Sequence, residues 1–227
     1  EQQTLASGNL PPGVAPALVP QRTLLLDLSH TRLHHVHVLE LVQACQSATS
    51  LQTLILENCK LNDNEVEVLG SGLIAATLGR SNTSNGSKPL PPQCMALVRL
   101  SVRSNRIGNR GVAGLCGYFA MTSTLKELDL SKNQVGSRGA SSVLQAFRDN
   151  PHYQQPQQQQ HPNSAFTGIE MINFSHNEIW DVDDGSFFAR NTTLKLLNLE
   201  GNFIHDEGVQ AICDGLRINS AKRGKDP

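Results

Sequence analysis

The stretch LQTLILENCKL at residues 51–61 defines a frame that recurs along the chain. If its first residue is offset 0, apolar residues stand at offsets 0, 3, 5 and 10, and a small polar or thiol residue stands at offset 8. The same frame fits segments that begin at residues 51, 97, 125, 169 and 194, and a sixth, weaker copy begins at residue 23 with Thr at offset 0. Six matches to one frame predict an internal structural repeat.

The irregular spacing of these segments indicates two insertions. Successive starts are 28, 46, 28, 44 and 25 residues apart. The two long intervals contain 81–93 and 150–164, which are rich in Asn, Ser, Pro or Gln and too polar to form a core of their own. Because they lengthen a surface loop, they cost little closure entropy. We therefore predict a repeat domain over 23–218, a flexible or capping segment at 1–22 and a basic flexible tail at 219–227.

Alternation within each frame predicts a strand with two different faces. Residues at offsets 3 and 5 point towards the core, and those at offsets 2, 4 and 6 point the other way. Apolar residues after the strand, such as Val112, Leu115 and Phe119, form the other wall of each layer. We expect each strand to pair in parallel with the next. The predicted core residues of the strands are Leu26, Leu28, Leu54, Leu56, Leu100, Val102, Leu128, Leu130, Ile172, Phe174, Leu197 and Leu199.

The pattern LxxLxLxxN/CxL, followed by a Gly and an apolar helical stretch, resembles the leucine-rich-repeat family and, within it, the ribonuclease-inhibitor-like class. The resemblance covers residues 23–218. It implies an α/β solenoid with a curved parallel sheet, outer helices and about six repeats. In this class a Gly opens the helix, and the matching residues here are Gly111, Gly139 and Gly208. In the first, second and fifth repeats the equivalent residues are His37, Glu65 and Asp183.

Offset 8 is the point where the chain turns away from the strand and leaves inward-pointing N–H and C=O groups without strand partners. An Asn amide both donates and accepts hydrogen bonds, so a column of Asn residues satisfies neighbouring turns. Thr and Cys do this less fully, which predicts a less regular N-terminal end. The predicted structural ladder is Thr31, Cys59, Asn105, Asn133, Asn177 and Asn202.

Side chains at offsets 2, 4, 6 and 7 form what we call the concave face, the surface that solenoids present to partners. Arg99 and Arg103 lie on one strand of it, near carboxylates of the adjacent strands. This cluster is either a charged hot spot for a partner or a ladder of cross-strand charge pairs on a solvated face. The predicted partner-binding residues are Arg99, Arg103, Glu57, Ile55, Glu127, Asp129, Met171, Asn173, Leu196 and Asn198.

Two other clusters resemble metal sites without matching one. HTRLHHVH carries four His residues between 30 and 37, but no Cys or carboxylate stands at a ligand spacing nearby, so we interpret it as a polar loop. The aspartates of WDVDDGS lack the spacing of a calcium loop. We interpret that stretch as a tight turn in place of a helix, with Trp180 packed against it. No metal site is predicted.

Composition and motifs exclude most other classes. A net charge of -1 creates no field that would attract nucleic acid. No apolar run reaches the ~18 residues of a membrane span. Five scattered cysteines without a CxxC pair favour reduced thiols. Motifs for nucleotide binding, metallopeptidases and serine hydrolases are missing, so we predict no enzyme and no cofactor.

The resemblance implies a non-catalytic scaffold that binds a protein partner in the eukaryotic cytoplasm, with a cytoskeletal or flagellar setting as a narrower option. A GTPase activator is the alternative, because Ran GTPase-activating proteins resemble this solenoid, although their longer array and acidic tail are missing here. A GTP-hydrolysis assay separates the two. A nuclease inhibitor is a weaker alternative, since the Cys-rich alternating repeats of that family are not matched. No polar cap is evident, so we expect the chain to be part of a longer array.

Overall fold

A computed structural model of the chain describes residues 24–48, 50–78, 96–153, 168–182 and 185–223. Six strands form one parallel sheet, and their order in the sheet is their order in the chain. They are β1 (Leu25–Asp27), β2 (Thr53–Ile55), β3 (Arg99–Ser101), β4 (Glu127–Asp129), β5 (Met171–Asn173) and β6 (Leu196–Asn198). The predicted α/β repeat solenoid is confirmed.

A helix follows each strand. The helices are α1 (His35–Ser47), α2 (Asp63–Leu78), α3 (Asn109–Phe119), α4 (Ser137–Asp149), α5 (Ser186–Arg190) and α6 (Asp206–Arg223). The fifth repeat was expected to have a turn in place of a helix, but it has a helix of 5 residues. No helix in the described part of the chain is long and apolar enough to span a membrane.

The register of the sheet places equivalent offsets side by side. The offset-2 row consists of Leu25, Thr53, Arg99, Glu127, Met171 and Leu196. Behind the sheet, the side chains at offsets 3 and 5 are almost fully buried from β2 to β5. Those of Leu28, Leu197 and Leu199 are only partly buried. Burial of one such side chain stabilises the fold by about 1.5–3 kcal/mol, so the central repeats contribute most of the core.

A left-handed residue at offset 7 turns the chain out of every strand. The φ angle there is between 52° and 68° at His30, Asn58, Ser104, Lys132, His176 and Gly201. A non-glycine residue in this region costs about 1–2 kcal/mol. The cost is offset because, in the first five repeats, its N–H donates to the offset-6 carbonyl of the next repeat at 2.7–2.9 Å. The turn in each of these five repeats is therefore stabilised by a hydrogen bond to the next repeat.

Asparagines at offset 8 connect adjacent turns. The Oδ1 atom of Asn105 accepts from the N–H groups of Cys59 and Leu61, and its Nδ2 donates to the carbonyls of Leu56 and Val102. Asn133, Asn177 and Asn202 make the equivalent bonds to the turns that precede them. In the second repeat the thiol of Cys59 donates to the carbonyl of Leu28 instead, at 3.1 Å.

The glycine at offset 14 lies inside the helix rather than at its start. Helices α3 and α4 begin two residues before Gly111 and Gly139. A Cβ atom on Gly111 would lie 2.9 Å from the Cα atom of Asp63, and one on Gly139 would lie 2.6 Å from the Oδ1 atom of Asn109. The glycine is therefore needed because the preceding helix approaches closely, and helices α1 and α2 begin without it.

In the second and third repeats the residue at offset 12 caps the helix of the following repeat. Asp63 Oδ1 accepts the N–H of Gly108 at 2.7 Å, just before α3. Asn109 Oδ1 accepts the N–H groups of Gly136 and Gly139 at 2.9 Å each, and Ser137 Oγ accepts those of Trp180 and Asp181. The bonds from Asp63 and Asn109 satisfy donors that would otherwise be unpaired at the starts of α3 and α4. Trp180 and Asp181 lie in the loop ahead of α5.

The structure corrects two predicted boundaries. Residues 150–153, assigned to the second insertion, pack on the fold: Tyr153 stacks on Phe147 and donates its hydroxyl to the carbonyl of Leu125 at 2.9 Å. The predicted tail at 219–227 is helical up to Arg223, because Asn219 donates from Nδ2 to the carbonyl of Phe188 at 2.7 Å. The stretches 1–22 and 81–93 and the remainder of the second insertion lie outside the described residues.

Candidate concave binding face

The parallel register brings the predicted partner-binding residues into one surface. Arg99 on β3 stands beside Glu127 on β4, and Nη1 of Arg99 lies 3.3 Å from Oε2 of Glu127. Both side chains are about 40% exposed, so the attraction is screened by solvent. The Nε atom of Arg99 is buried and has no hydrogen-bond partner in the described structure. Part of this guanidinium therefore remains unsatisfied.

Arg103, two residues further along, is half-buried and makes no ion pair with any described residue. Glu57 forms no ion pair with it; Oε1 of Glu57 instead accepts the hydroxyl of Ser101 at 2.9 Å. The predicted charge ladder is thus realised for one pair only. Arg103 is left as a cation near the middle of the concave face with unused donors.

Three predicted partner-binding residues have a structural task at the ends of the strands. Asp129, Asn173 and Asn198 each accept, through Oδ1, the N–H of the residue two positions later, at 2.9–3.0 Å. This Asx turn guides the chain out of the strand. Asp129 is only 8% exposed, and its Oδ2 also accepts from Asn173 Nδ2. Sequence reasoning missed this role, which an Asp or Asn repeated at offset 4 could have indicated.

The apolar residues of the face differ in exposure along the solenoid. Ile55 and Met171 are half-buried between neighbouring strands. Leu196 on β6 is 49% exposed, since no strand follows β6 among the described residues. Together with Arg103 they give the face a mixed apolar and cationic character, which is typical of interface centres.

A row of ion pairs runs along the edge where the strands begin. Glu170 lies 2.6 Å from Nζ of Lys195 and 3.4 Å from Nζ of Lys126, so it links three repeats. The hydrogen bond from Lys195 is the largest influence on Glu170 and lowers the pKa of this carboxyl. These charges are satisfied by one another, in contrast to Arg103.

The His-rich loop and Trp180 have local structural contacts. The backbone N–H of His34 donates to Nδ1 of His37 in the first turn of α1. Within the described ranges, no three His, Cys, Asp or Glu side chains are close enough to hold a metal ion. The sequence predicts that Trp180 packs on the turn that follows it. In the structure its side chain is 51% exposed and stacks on Phe203 of the next repeat, with the ring centroids 4.8 Å apart.

The structure describes four cysteines, and none of them forms a disulfide. Burial raises the pKa of Cys45 to about 12 and those of Cys59 and Cys116 to about 11. Cys213 is exposed, and all four are free. Since the thiolate is the nucleophile, the raised pKa values make Cys45, Cys59 and Cys116 poor nucleophiles near neutral pH.

Comparison with known proteins agrees with this geometry. A model of the leucine-rich repeat matches residues 93–116, 123–144 and 190–213. The human NACHT, LRR and PYD domains-containing protein 5 is 26% identical over 208 residues, which are 85% of this chain and 16% of that protein. Mouse ribonuclease inhibitor is 24% identical over 202 residues, 89% of this chain and 38% of the inhibitor. The matched region is therefore 16% of the length of the first relative and 38% of the length of the second.

Among solved structures, leiomodin-1 actin-binding site 2 aligns with 92% of this chain and 87% of its own, at 13% identity and a TM-score of 0.46. A likeness of this degree supports no statement about partners. The repeat frame, the six-stranded parallel sheet and the matches to repeat proteins agree with one another. The chain is a leucine-rich-repeat protein with distant homology to ribonuclease inhibitor and to the repeat regions of the NACHT, LRR and PYD proteins.

Proposed function

We propose that this chain is a non-catalytic module that binds a protein partner on its concave face, with Arg103 as the central contact. Leucine-rich-repeat domains typically bind proteins, and the repeat regions related to this one are generally non-catalytic. The observation that supports the site is the contrast between Arg99, which is paired with Glu127, and Arg103, which has no ion-pair partner among the described residues. A partner carboxylate at Arg103 would complete its hydrogen bonding.

The flanking residues support the same site. Ile55 and Met171 supply apolar contact on either side of the arginines, and Leu196 extends this surface to the last repeat. Asp129, Asn173 and Asn198 hold the strand ends in place and so preorganise the face. We propose a reducing compartment such as the cytoplasm, since four cysteines are free. The cytoskeletal or flagellar setting stays a prediction.

A charge-reversal experiment tests this proposal. The chain and its Arg103→Glu variant are used as bait in quantitative affinity purification, and Arg138→Glu, at an exposed helix position, is the control of equal net charge. We expect proteins retained by the wild type and the control to be lost from Arg103→Glu. Equal retention by all three would remove the proposed site. Stimulation of GTP hydrolysis in a panel of small GTPases would contradict the non-catalytic assignment.

A further inference from the structure

A second surface lies at the edge where the chain leaves β1, β2 and β3 for their helices. It is a groove of about 690 Å³, formed by the turns of the first three repeats. The residues at offset 9 line it in consecutive repeats, and all three are exposed cations: Arg32, Lys60 and Arg106. This groove adjoins the concave face, with which it shares the offset-7 residues His30 and Asn58, and it includes the His-rich loop.

The backbone holds these three cations in a row. The N–H of Leu33 donates to the carbonyl of Cys59 at 3.0 Å, and the N–H of Arg106 donates to the carbonyl of Leu61 at 2.9 Å. Asn62 and Arg106 also form a parallel bridge. Hydrogen-bonded neighbouring chains lie roughly 5 Å apart. The cations therefore stand at successive rungs of a regular ladder.

Their positive charges are not neutralised within the described structure. None of the three forms an ion pair with a described residue, whereas Arg99, Arg110, Lys126 and Lys195 do. Nζ of Lys60 donates to the neutral amide of Asn58 at 2.9 Å. Glu65 is the one carboxylate among the described residues that line the groove; it accepts the N–H of Asn62 through Oε2 and forms no ion pair with the three cations. Like charges in a row repel one another, and a ligand with negative charges would relieve that repulsion.

We propose that this groove binds an acidic, extended segment of a protein partner, whose carboxylates pair with Arg32, Lys60 and Arg106. In an extended peptide laid across the turns, successive side chains are spaced closely enough for the long Arg and Lys side chains of the groove to reach them. The two parallel N–H donors of a guanidinium group match the two oxygens of a carboxylate. Val36, 61% exposed at the groove, adds an apolar contact for the peptide.

An acidic peptide fits the groove better than a nucleic acid does. The whole chain has a net charge of -1, so it lacks the broad positive field that draws proteins to a phosphate backbone. No Phe, Tyr or Trp stands among the described residues that line the groove, so the large aromatic side chains that usually stack on bases are missing from this part of the chain. The site depends on three point charges in a line, which suits closely spaced carboxylates.

The test uses a fluorescein-labelled hexaglutamate peptide and fluorescence anisotropy at low ionic strength. The variant is Lys60→Glu/Arg106→Glu, and the control of equal net charge is Arg138→Glu/Arg190→Glu on α4 and α5. Circular dichroism melts confirm that both are folded. We expect the groove variant to bind at least tenfold more weakly than wild type, with the control unchanged and affinity falling as salt is added.

Three results would overturn the proposal: no binding to the wild type, equal weakening in both variants, or tighter binding of a hexathymidine oligonucleotide than of hexaglutamate. The concave-face variant Arg103→Glu is measured alongside. Retained hexaglutamate binding in that variant is expected, and it keeps this site distinct from the one proposed for the concave face.

Discussion

The second and sixth repeats carry the same apolar residues at the same offsets and bury them very differently. Val66 and Val209 both stand at offset 15, and Leu73 and Leu216 both stand at offset 22. The first of each pair is 0% exposed, while Val209 is 50% and Leu216 is 51% exposed. Helix α2 packs between α1 and α3, whereas α6 contacts only α5 among the described helices. One pattern thus makes a core only where neighbours cover both sides.

The largest effect expected from this comparison is on the free energy of unfolding when the leucine at offset 22 is replaced by alanine. Leu73→Ala removes a fully buried side chain and leaves a cavity, so it should lower the free energy of unfolding by about 2–5 kcal/mol. Leu216→Ala removes a half-exposed side chain and should change it by no more than about 0.5 kcal/mol. Chemical denaturation followed by far-UV circular dichroism measures both. Similar losses would mean that the helices of the second and sixth repeats are equally covered.

The asparagine ladder should show a smaller effect. Asn133→Leu leaves the carbonyls of Val102 and Leu130 and the N–H of Ile107 without their side-chain partner. An unsatisfied buried group costs about 1–3 kcal/mol, so the melting temperature should fall clearly. The adjacent Lys132→Ala is the control, since it is exposed and keeps a Cβ at the same left-handed position. Equal melting temperatures for the two variants would contradict the assignment of the ladder.

The rate of thiol alkylation tests the same comparison at offset 19, where Cys116 and Cys213 are equivalent. Burial raises the pKa of Cys116 to about 11, so roughly one thiol in a thousand is ionised at pH 8. Iodoacetamide should therefore label the exposed Cys213 at least tenfold faster than Cys116 at pH 8. Labelling of Cys116 should rise as the pH approaches 11. Equal labelling rates of the two cysteines at pH 8, measured by mass spectrometry of peptides, would show that this position is exposed to solvent in both repeats.

The smallest effect is expected for the pair of Arg99 and Glu127. Both side chains are about 40% exposed, and screening by solvent reduces their attraction. A double-mutant cycle with Arg99→Ala and Glu127→Ala should therefore give a coupling of about 0.2–1 kcal/mol, decreasing with salt. A coupling that is larger and independent of salt would mean that the concave face is far less solvated than the structure shows.

The features that repeat at a fixed offset were predictable from the sequence. The strands, their register from Leu25 to Leu196 and the core at offsets 3 and 5 follow from alternation and period alone. The position of the offset-8 asparagines follows in the same way. Each of these depends on one residue type recurring in a short frame, so a single sequence carries enough copies to reveal it.

Features that depend on contact between two repeats were missed. A polar residue at a helix start is expected to cap its own helix, yet Asp63 and Asn109 cap the next one, because neighbouring helix starts are close enough to share a donor. Tyr153 lies in a Gln-rich stretch and is ordered through its hydroxyl bond to Leu125. The partnerless state of Arg103 likewise depends on the distances to carboxylates of other strands. Only the three-dimensional arrangement shows these contacts.

Residue-resolved hydrogen exchange by NMR tests most directly whether each repeat is stabilised by hydrogen bonds and packing to the next repeat. The N–H groups of Leu130 and Phe174 donate to the carbonyls of Asn173 and Asn198 at 2.9 and 2.8 Å, whereas no described strand follows β6 to accept from the equivalent Leu199. The amides of Leu130 and Phe174 should exchange roughly a hundredfold or more slowly than that of Leu199. Equal protection at all three positions would contradict the layered account.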